Sequence, residues 1–186
     1  MLEGARAEAT DTPARLRDLV LEHIRDIPDF PQAGVMFKDF TPLLANGDVF
    51  RAVVDDIASR YAGRVDMVVG IEARGFILGS AVAYQLGSGF VPVRKSGKLP
   101  GPSLSEEYSL EYGTAVLEMH EGALRQGQRV VVVDDVLATG GTAAATCRLV
   151  ERTGAVITGI DVVLELTFLN GRAALGDREL YAIAAV

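Results

Sequence analysis

Between Arg129 and Thr142 the chain reads Arg-Val-Val-Val-Val-Asp-Asp-Val-Leu-Ala-Thr-Gly-Gly-Thr. Four consecutive valines leave no polar face, so the run predicts a strand buried on both sides within a parallel sheet. The Ala-rich stretch from Thr142 to Glu151 predicts a helix directly after the glycines. A Gly pair at such a junction leaves backbone N–H groups at the helix N-terminus, where they can cradle a phosphate. Asp134 and Asp135 fall at the carboxyl end of the strand, the end at which open α/β sheets bind ligands. Two carboxylates beside a phosphate cradle, spanning Ala138, Thr139, Gly140, Gly141 and Thr142, suit a ligand with both sugar hydroxyls and a phosphate. No Lys follows the glycines as a P-loop requires, and no Gly-x-Gly-x-x-Gly follows any strand.

Strand and helix patterns alternate through the rest of the chain. Thr12-Pro13 is a helix entry, and Leu16, Leu19, Val20, His23, Ile24 and Ile27 follow at helical spacing until Pro28. A second helix is expected from Asp48 to Tyr61, a strand from Asp66 to Ile71, a helix from Gly75 to Leu86 and a short strand from Phe90 to Val93. Residues 94–106 carry two Pro, two Gly and several charges, and are expected to form a long mobile loop. Tyr108–Tyr112 and Thr114–Met119 read as an antiparallel pair turning at Gly113. A strand from Ala155 to Leu166, a short helix and a last strand from Leu180 to Ala184 complete the pattern. Such alternation implies a mostly parallel sheet flanked by helices, in one α/β domain over 1–186, with a disordered tail at 1–11.

Composition narrows the function classes. The net charge of −7, from 18 basic and 25 acidic side chains, argues against a nucleic-acid binder and requires that any attraction for an anionic substrate be local. No apolar run reaches the roughly eighteen residues of a membrane span, and the N-terminus has no apolar signal core, so a cytoplasmic protein is expected. Cys147 is the only cysteine, which rules out an intrachain disulfide and a thiolate zinc site, and it reads as a small buried hydrophobe. His23 and His120 match no metal-ligand spacing and read as structural or surface residues.

Four further patches bear on chemistry. Val69-Gly-Ile-Glu-Ala-Arg-Gly-Phe76 is a second strand–turn–helix junction, where N–H groups and the Arg74 guanidinium can meet a second anion. In the 28–42 segment Phe37 could stack on a planar heterocycle, although a plain connector with a core Phe fits the composition equally well. Arg94, Lys95 and Lys98 concentrate positive charge before Pro100-Gly-Pro102, as a solvated basic loop or as a closing lid. Glu106, Glu107 and Glu111 are carboxyl groups able to exchange a proton with a heterocyclic ring, and the residues alone do not choose among them.

The Arg129–Thr142 run resembles the phosphoribosyl-diphosphate (PRPP) signature of the type I phosphoribosyltransferases. Phe30 to Pro42, Gly97-Lys-Leu-Pro-Gly-Pro102 and Leu110-Glu-Tyr-Gly113 narrow the resemblance to the adenine phosphoribosyltransferase family. The resemblance implies transfer of a phosphoribosyl group to adenine in purine salvage. It gives Ala138–Thr142 to the 5′-phosphate, Asp134 and Asp135 to the ribose hydroxyls, and Ala73, Arg74, Arg94, Lys95 and Lys98 to pyrophosphate. In this pattern 28–42 is a hood, Phe37 stacks on adenine and the main chains of Met36 and Lys38 read its edge. Residues 94–113 form the lid, with Tyr112 at its closing edge and Glu111 as the acid–base group. A non-proline cis bond at Glu72–Ala73, magnesium carried mainly by PRPP and a homodimer are also implied. A phosphoribosyltransferase for another purine, or a purine- or PRPP-binding regulator without turnover, are the alternatives.

Overall fold

The computed structural model describes residues 12–109 and 113–186. The valine run lies on an interior strand, β7 (Arg129–Leu137), of a seven-stranded sheet ordered β5-β6-β4-β3-β7-β8-β9. Strands β3 (Met67–Ile71), β4 (Gly89–Lys95), β7 (Arg129–Leu137), β8 (Val156–Glu165) and β9 (Leu180–Ala185) are parallel. Strands β5 (Ser103–Ser109) and β6 (Thr114–His120) form an antiparallel edge, with β6 also antiparallel to β4. A separate two-stranded hairpin pairs β1 (Arg25–Pro28) with β2 (Met36–Asp39).

Alternation along β7 explains why every residue of the run is Val. Val130 and Val132 enter a cluster with Ala145, Cys147 and Leu149 of helix α5 (Gly141–Arg152). Val131 and Val133 enter the opposite cluster, with Val53 and Ile57 of α3 (Gly47–Tyr61), Leu78 and Val82 of α4 (Arg74–Leu86), and Val20 of α1 (Thr12–Glu22). All four valines are fully buried, and each contributes about 1.5 kcal/mol or more by leaving water. Cys147 lies in the α5 cluster, and burial pushes its thiol up to about 12, as expected of an inert packing residue. His23 is structural: its Nδ1 lies 2.8 Å from the Leu19 carbonyl oxygen and its Nε2 3.0 Å from Asn46 Nδ2.

Several element boundaries differ from the sequence reading. Helix α1 ends at Glu22, and Ile27 belongs to β1, where it pairs with Phe37 in register. The 28–42 segment is therefore a hairpin that continues into a short helix α2 (Thr41–Ala45), where it was expected to be irregular. The expected loop over 94–106 is shortened at both ends, because β4 runs through Lys95 and β5 begins at Ser103. Contacts remote in sequence hold β5 in place: Arg148 on α5 donates to Glu106 Oε1 at 2.5 Å, and Arg152 donates to the Ser105 carbonyl at 2.5 Å. The expected C-terminal helix is two 3₁₀ turns, Thr167–Leu169 and Gly171–Leu175. The tail 1–11 lies outside the described residues.

Candidate active site

Strand β7 delivers its two carboxylates directly to the loop that opens α5. Gly140 caps that helix in the left-handed region at φ 80°. A Cβ on Gly140 would collide with the Gly171 carbonyl oxygen, so the turn excludes any larger residue. Thr142, in the first turn of α5, donates from Oγ1 to the Tyr108 hydroxyl at 3.4 Å, which joins β5 to the loop. Asp134 accepts the Asp135 backbone N–H at 2.9 Å. Asp135 is buried and forms an ion pair with Arg74 Nε. Burial, then the neighbouring Asp135 charge, raises the Asp134 pKa well above the usual carboxylate range.

The β3–α4 junction lies beside the first one, at the carboxyl end of the neighbouring parallel strand. A Cβ on Gly75 would stand 2.8 Å from the Val133 carbonyl oxygen and 2.9 Å from Asp134 Oδ1. Glycine here lets the N-terminus of α4 close directly onto the carboxylate strand. The Glu72–Ala73 peptide bond is cis. Between the two junctions lies a cavity of about 430 Å³, walled by Ala73, Arg74, Lys95, Asp134, Asp135, Ala138, Thr139, Gly140 and Thr142, with Glu72 and Tyr108. Gly141 follows Gly140 as the first residue of α5. Arg94 and Lys98 do not wall this cavity; they join it through Glu72, at 3.4 Å and 2.9 Å respectively.

A second cavity of about 370 Å³ opens beside the first and shares Arg74, Val136 and Ala138 with it. Met36, Phe37 and Lys38 form one wall, supplied by β2. Phe37 packs edge-on against Phe30 at 5.0 Å between ring centroids, and the Arg74 guanidinium lies 5.3 Å from its ring centre. Lys38 Nζ is paired with Asp26 at 2.7 Å, across the hairpin. The opposite wall is Leu166, Phe168 and Leu169, none of which the sequence reading singled out. Phe168 is 72% exposed although it directly follows a buried parallel strand. An exposed aromatic at the carboxyl end of such a strand was the available signal. Glu111 and Tyr112 lie outside the described residues.

Two strand–turn–helix junctions beside an aromatic slot invite comparison with proteins of known family. Residues 43–168 match the phosphoribosyl transferase domain. An adenine phosphoribosyltransferase from Salinispora tropica is 55% identical over 178 residues, covering 95% of this chain and 94% of its own. The chain belongs to the adenine phosphoribosyltransferase family. Among solved structures, an adenine phosphoribosyltransferase from Thermoanaerobacter pseudethanolicus superposes with a TM-score of 0.88 at 47% identity, covering 91% of this chain and 99% of that one. The Saccharomyces cerevisiae adenine phosphoribosyltransferase, solved with D-2,5-dideoxy-2,5-imino-altritol 1,6-bisphosphate and adenine, superposes at 0.87 and 37% identity, covering 91% and 99%. The domain match spans both anion junctions and stops short of the Met36–Asp39 strand. Likeness to adenine phosphoribosyltransferases extends over nearly the whole chain.

Proposed function

We propose that the protein joins adenine to PRPP, releasing AMP and pyrophosphate, as a step of purine salvage. The observation that carries this reading is the pair of adjoining cavities, one between two anion junctions and the other aromatic, sharing Arg74, Val136 and Ala138. In the reaction the bond from the ribose anomeric carbon to pyrophosphate breaks and a bond to a purine nitrogen forms. Positive charge grows on the ribose and negative charge on the leaving group, so the chain must position both and neutralise the second.

In this reading Ala138 to Thr142 hold the 5′-phosphate, with backbone N–H groups and the Thr139 and Thr142 hydroxyls as donors. Asp134 and Asp135 hold the ribose hydroxyls, and Ala73, Arg74, Arg94, Lys95 and Lys98 take the pyrophosphate. Phe37 stacks on adenine, the Met36 and Lys38 main chains read its edge, and Phe168 lines the opposite wall. Glu111 exchanges the proton with the purine, and residues 94–113 act as a lid, closed at Tyr112, that keeps water from PRPP. Among the described residues no group of three or more His, Cys, Asp or Glu is placed to hold a metal ion. The Asp134–Asp135 pair suits magnesium that is carried mainly on substrate oxygens and that lends charge to the leaving pyrophosphate. A homodimer in the cytoplasm completes the reading. Among the described residues no helix is long and apolar enough to cross a membrane.

The test is a spectrophotometric assay of adenine with PRPP and magnesium, beside hypoxanthine, guanine and xanthine. AMP formation from adenine alone is expected. Turnover of another base at a similar rate would reassign the substrate, and PRPP binding without turnover of any base would point to a regulator. In the same assay Asp135→Asn is expected to raise KM for PRPP about ten- to a hundredfold with the circular dichroism spectrum unchanged. Wild-type kinetics in that variant would remove Asp135 from the site.

A further inference from the structure

Glu72 receives two cationic side chains and one backbone N–H from one strand and the loop after it. Its carboxylate lies 2.9 Å from Lys98 Nζ and 3.4 Å from Arg94 Nη2, and it accepts the Lys95 backbone N–H at 3.0 Å. The side chain is only 9% exposed and sits at the wall of the larger cavity, next to Ala73 and Arg74. Burial works against its charge. The Lys98 ammonium, the Lys95 N–H and the Arg94 guanidinium outweigh that and hold its pKa near 2. Glu72 is therefore a carboxylate throughout the pH range of any enzyme assay.

Beyond the Lys95 N–H, the loop that carries these cations is held by other groups. Ser96 Oγ donates to Glu118 Oε1 at 2.6 Å, the Gly97 N–H donates to Glu118 Oε2 at 3.0 Å, and Arg94 Nη1 donates to the Lys98 carbonyl at 3.1 Å. Arg94 is further fixed by its place on β4, paired with Glu118 of β6. With the loop held by Glu118, what Glu72 adds beyond its acceptor for the Lys95 N–H is charge. It stands where a second anion would seek the same ammonium and guanidinium groups.

We propose that Glu72 is a positioning residue that acts as a stand-in anion, neutralising Lys98 and Arg94 in the empty site and releasing them to pyrophosphate. This rests on the assignment of those two cations to pyrophosphate given above. An ammonium shared with Glu72 must leave it, or divide its attraction, when a more highly charged anion binds. The carboxylate repels that anion from its place beside the cavity. Glu72 thereby weakens the grip on pyrophosphate and hastens its departure as product.

The experiment measures inhibition of the wild-type and Glu72→Gln enzymes by pyrophosphate, together with KM for PRPP and kcat for AMP formation. Glutamine keeps the shape and an acceptor for the Lys95 N–H while removing the charge. Expected is pyrophosphate inhibition about three- to tenfold tighter, a lower KM for PRPP and a lower kcat. Glu72→Asp, which restores the charge, is expected to return inhibition toward the wild-type value. Adding Lys98→Ala to Glu72→Gln is expected to cancel most of the gain. Unchanged or weaker pyrophosphate inhibition in Glu72→Gln, with wild type making AMP, would overturn the proposal and leave the enzymatic reading standing. A wild-type protein that makes no AMP would overturn both. If Glu72→Gln does not accumulate as folded protein, Glu72→Ala replaces it with the same expected direction.

Discussion

Asp161 is a carboxylate that the proposed chemistry does not use. It sits fully buried on β8 and pairs with Arg60 at 2.5 Å, while Arg60 also holds Asp56 at 2.6 Å. Among the described residues, one Asp161 oxygen and the Tyr61 hydroxyl are buried without a hydrogen-bond partner. Burial drives the Asp161 pKa up and the Arg60 guanidinium pulls it back, leaving it at about 7. The folded state therefore binds this proton more tightly than the unfolded chain does. The stability it contributes is complete below about pH 4 and is lost as pH rises through about 7. Asp39, Asp66 and Glu72 are shifted down to about 2, so their contribution has the opposite sign and disappears only in stronger acid. Urea unfolding of wild type and Asp161→Asn from pH 4 to 8 should show wild type losing on the order of a few kcal/mol relative to the variant as pH rises. Parallel profiles would mean that Asp161 does not titrate in this range.

At the scale of elements, the turn at Gly140 carries the most demanding geometry in the site. Its φ of 80° disfavours a side chain, and the Gly171 carbonyl occupies the space where a Cβ would go. Gly140→Ala is expected to cost roughly 2–4 kcal/mol in urea unfolding and to weaken PRPP binding in the same protein. A variant of wild-type stability would show that the loop can rearrange at little cost. This turn was legible in the sequence because a Gly pair after a buried strand has few other uses. The α3, α4 and α5 helices were legible for a similar reason, since each buries one periodic apolar face. Elements held by distant partners were not. Ile24 and Ile27 continue the periodicity of α1, yet β2 draws Ile27 into a hairpin. Ser103 to Glu106 read as loop because their strand depends on β6 and on Arg148 and Arg152, some forty residues further along. In the site, residues that bring a chemical group were visible in the string, whereas Val136, Leu166 and Phe168 contribute only a surface and became visible through their position.

Across the whole molecule, the larger cavity is walled on the α5 side by cluster residues such as Val162 and also by Val136 and Ala138, which pack against the α3–α4 cluster. A ligand there bridges the two layers. PRPP at about a hundred times its Kd should stabilise the fold by about 2.7 kcal/mol and raise Tm by roughly 5–10 °C in a single transition. A calorimetric scan that splits into two transitions, only one of them moved by PRPP, would show that the layers unfold separately.

Arg74 has one guanidinium and two neighbourhoods. It is paired with Asp135 in one cavity and lies 5.3 Å from the ring of Phe37 in the other. In the proposed binding mode, a cation that shifts toward a diphosphate would leave that ring, and one held over the ring would be less available to the diphosphate. Each half of the site would then register whether the other is filled. By reciprocity the influence would be equal in both directions, and this one side chain would make the two halves of the site keep count of each other.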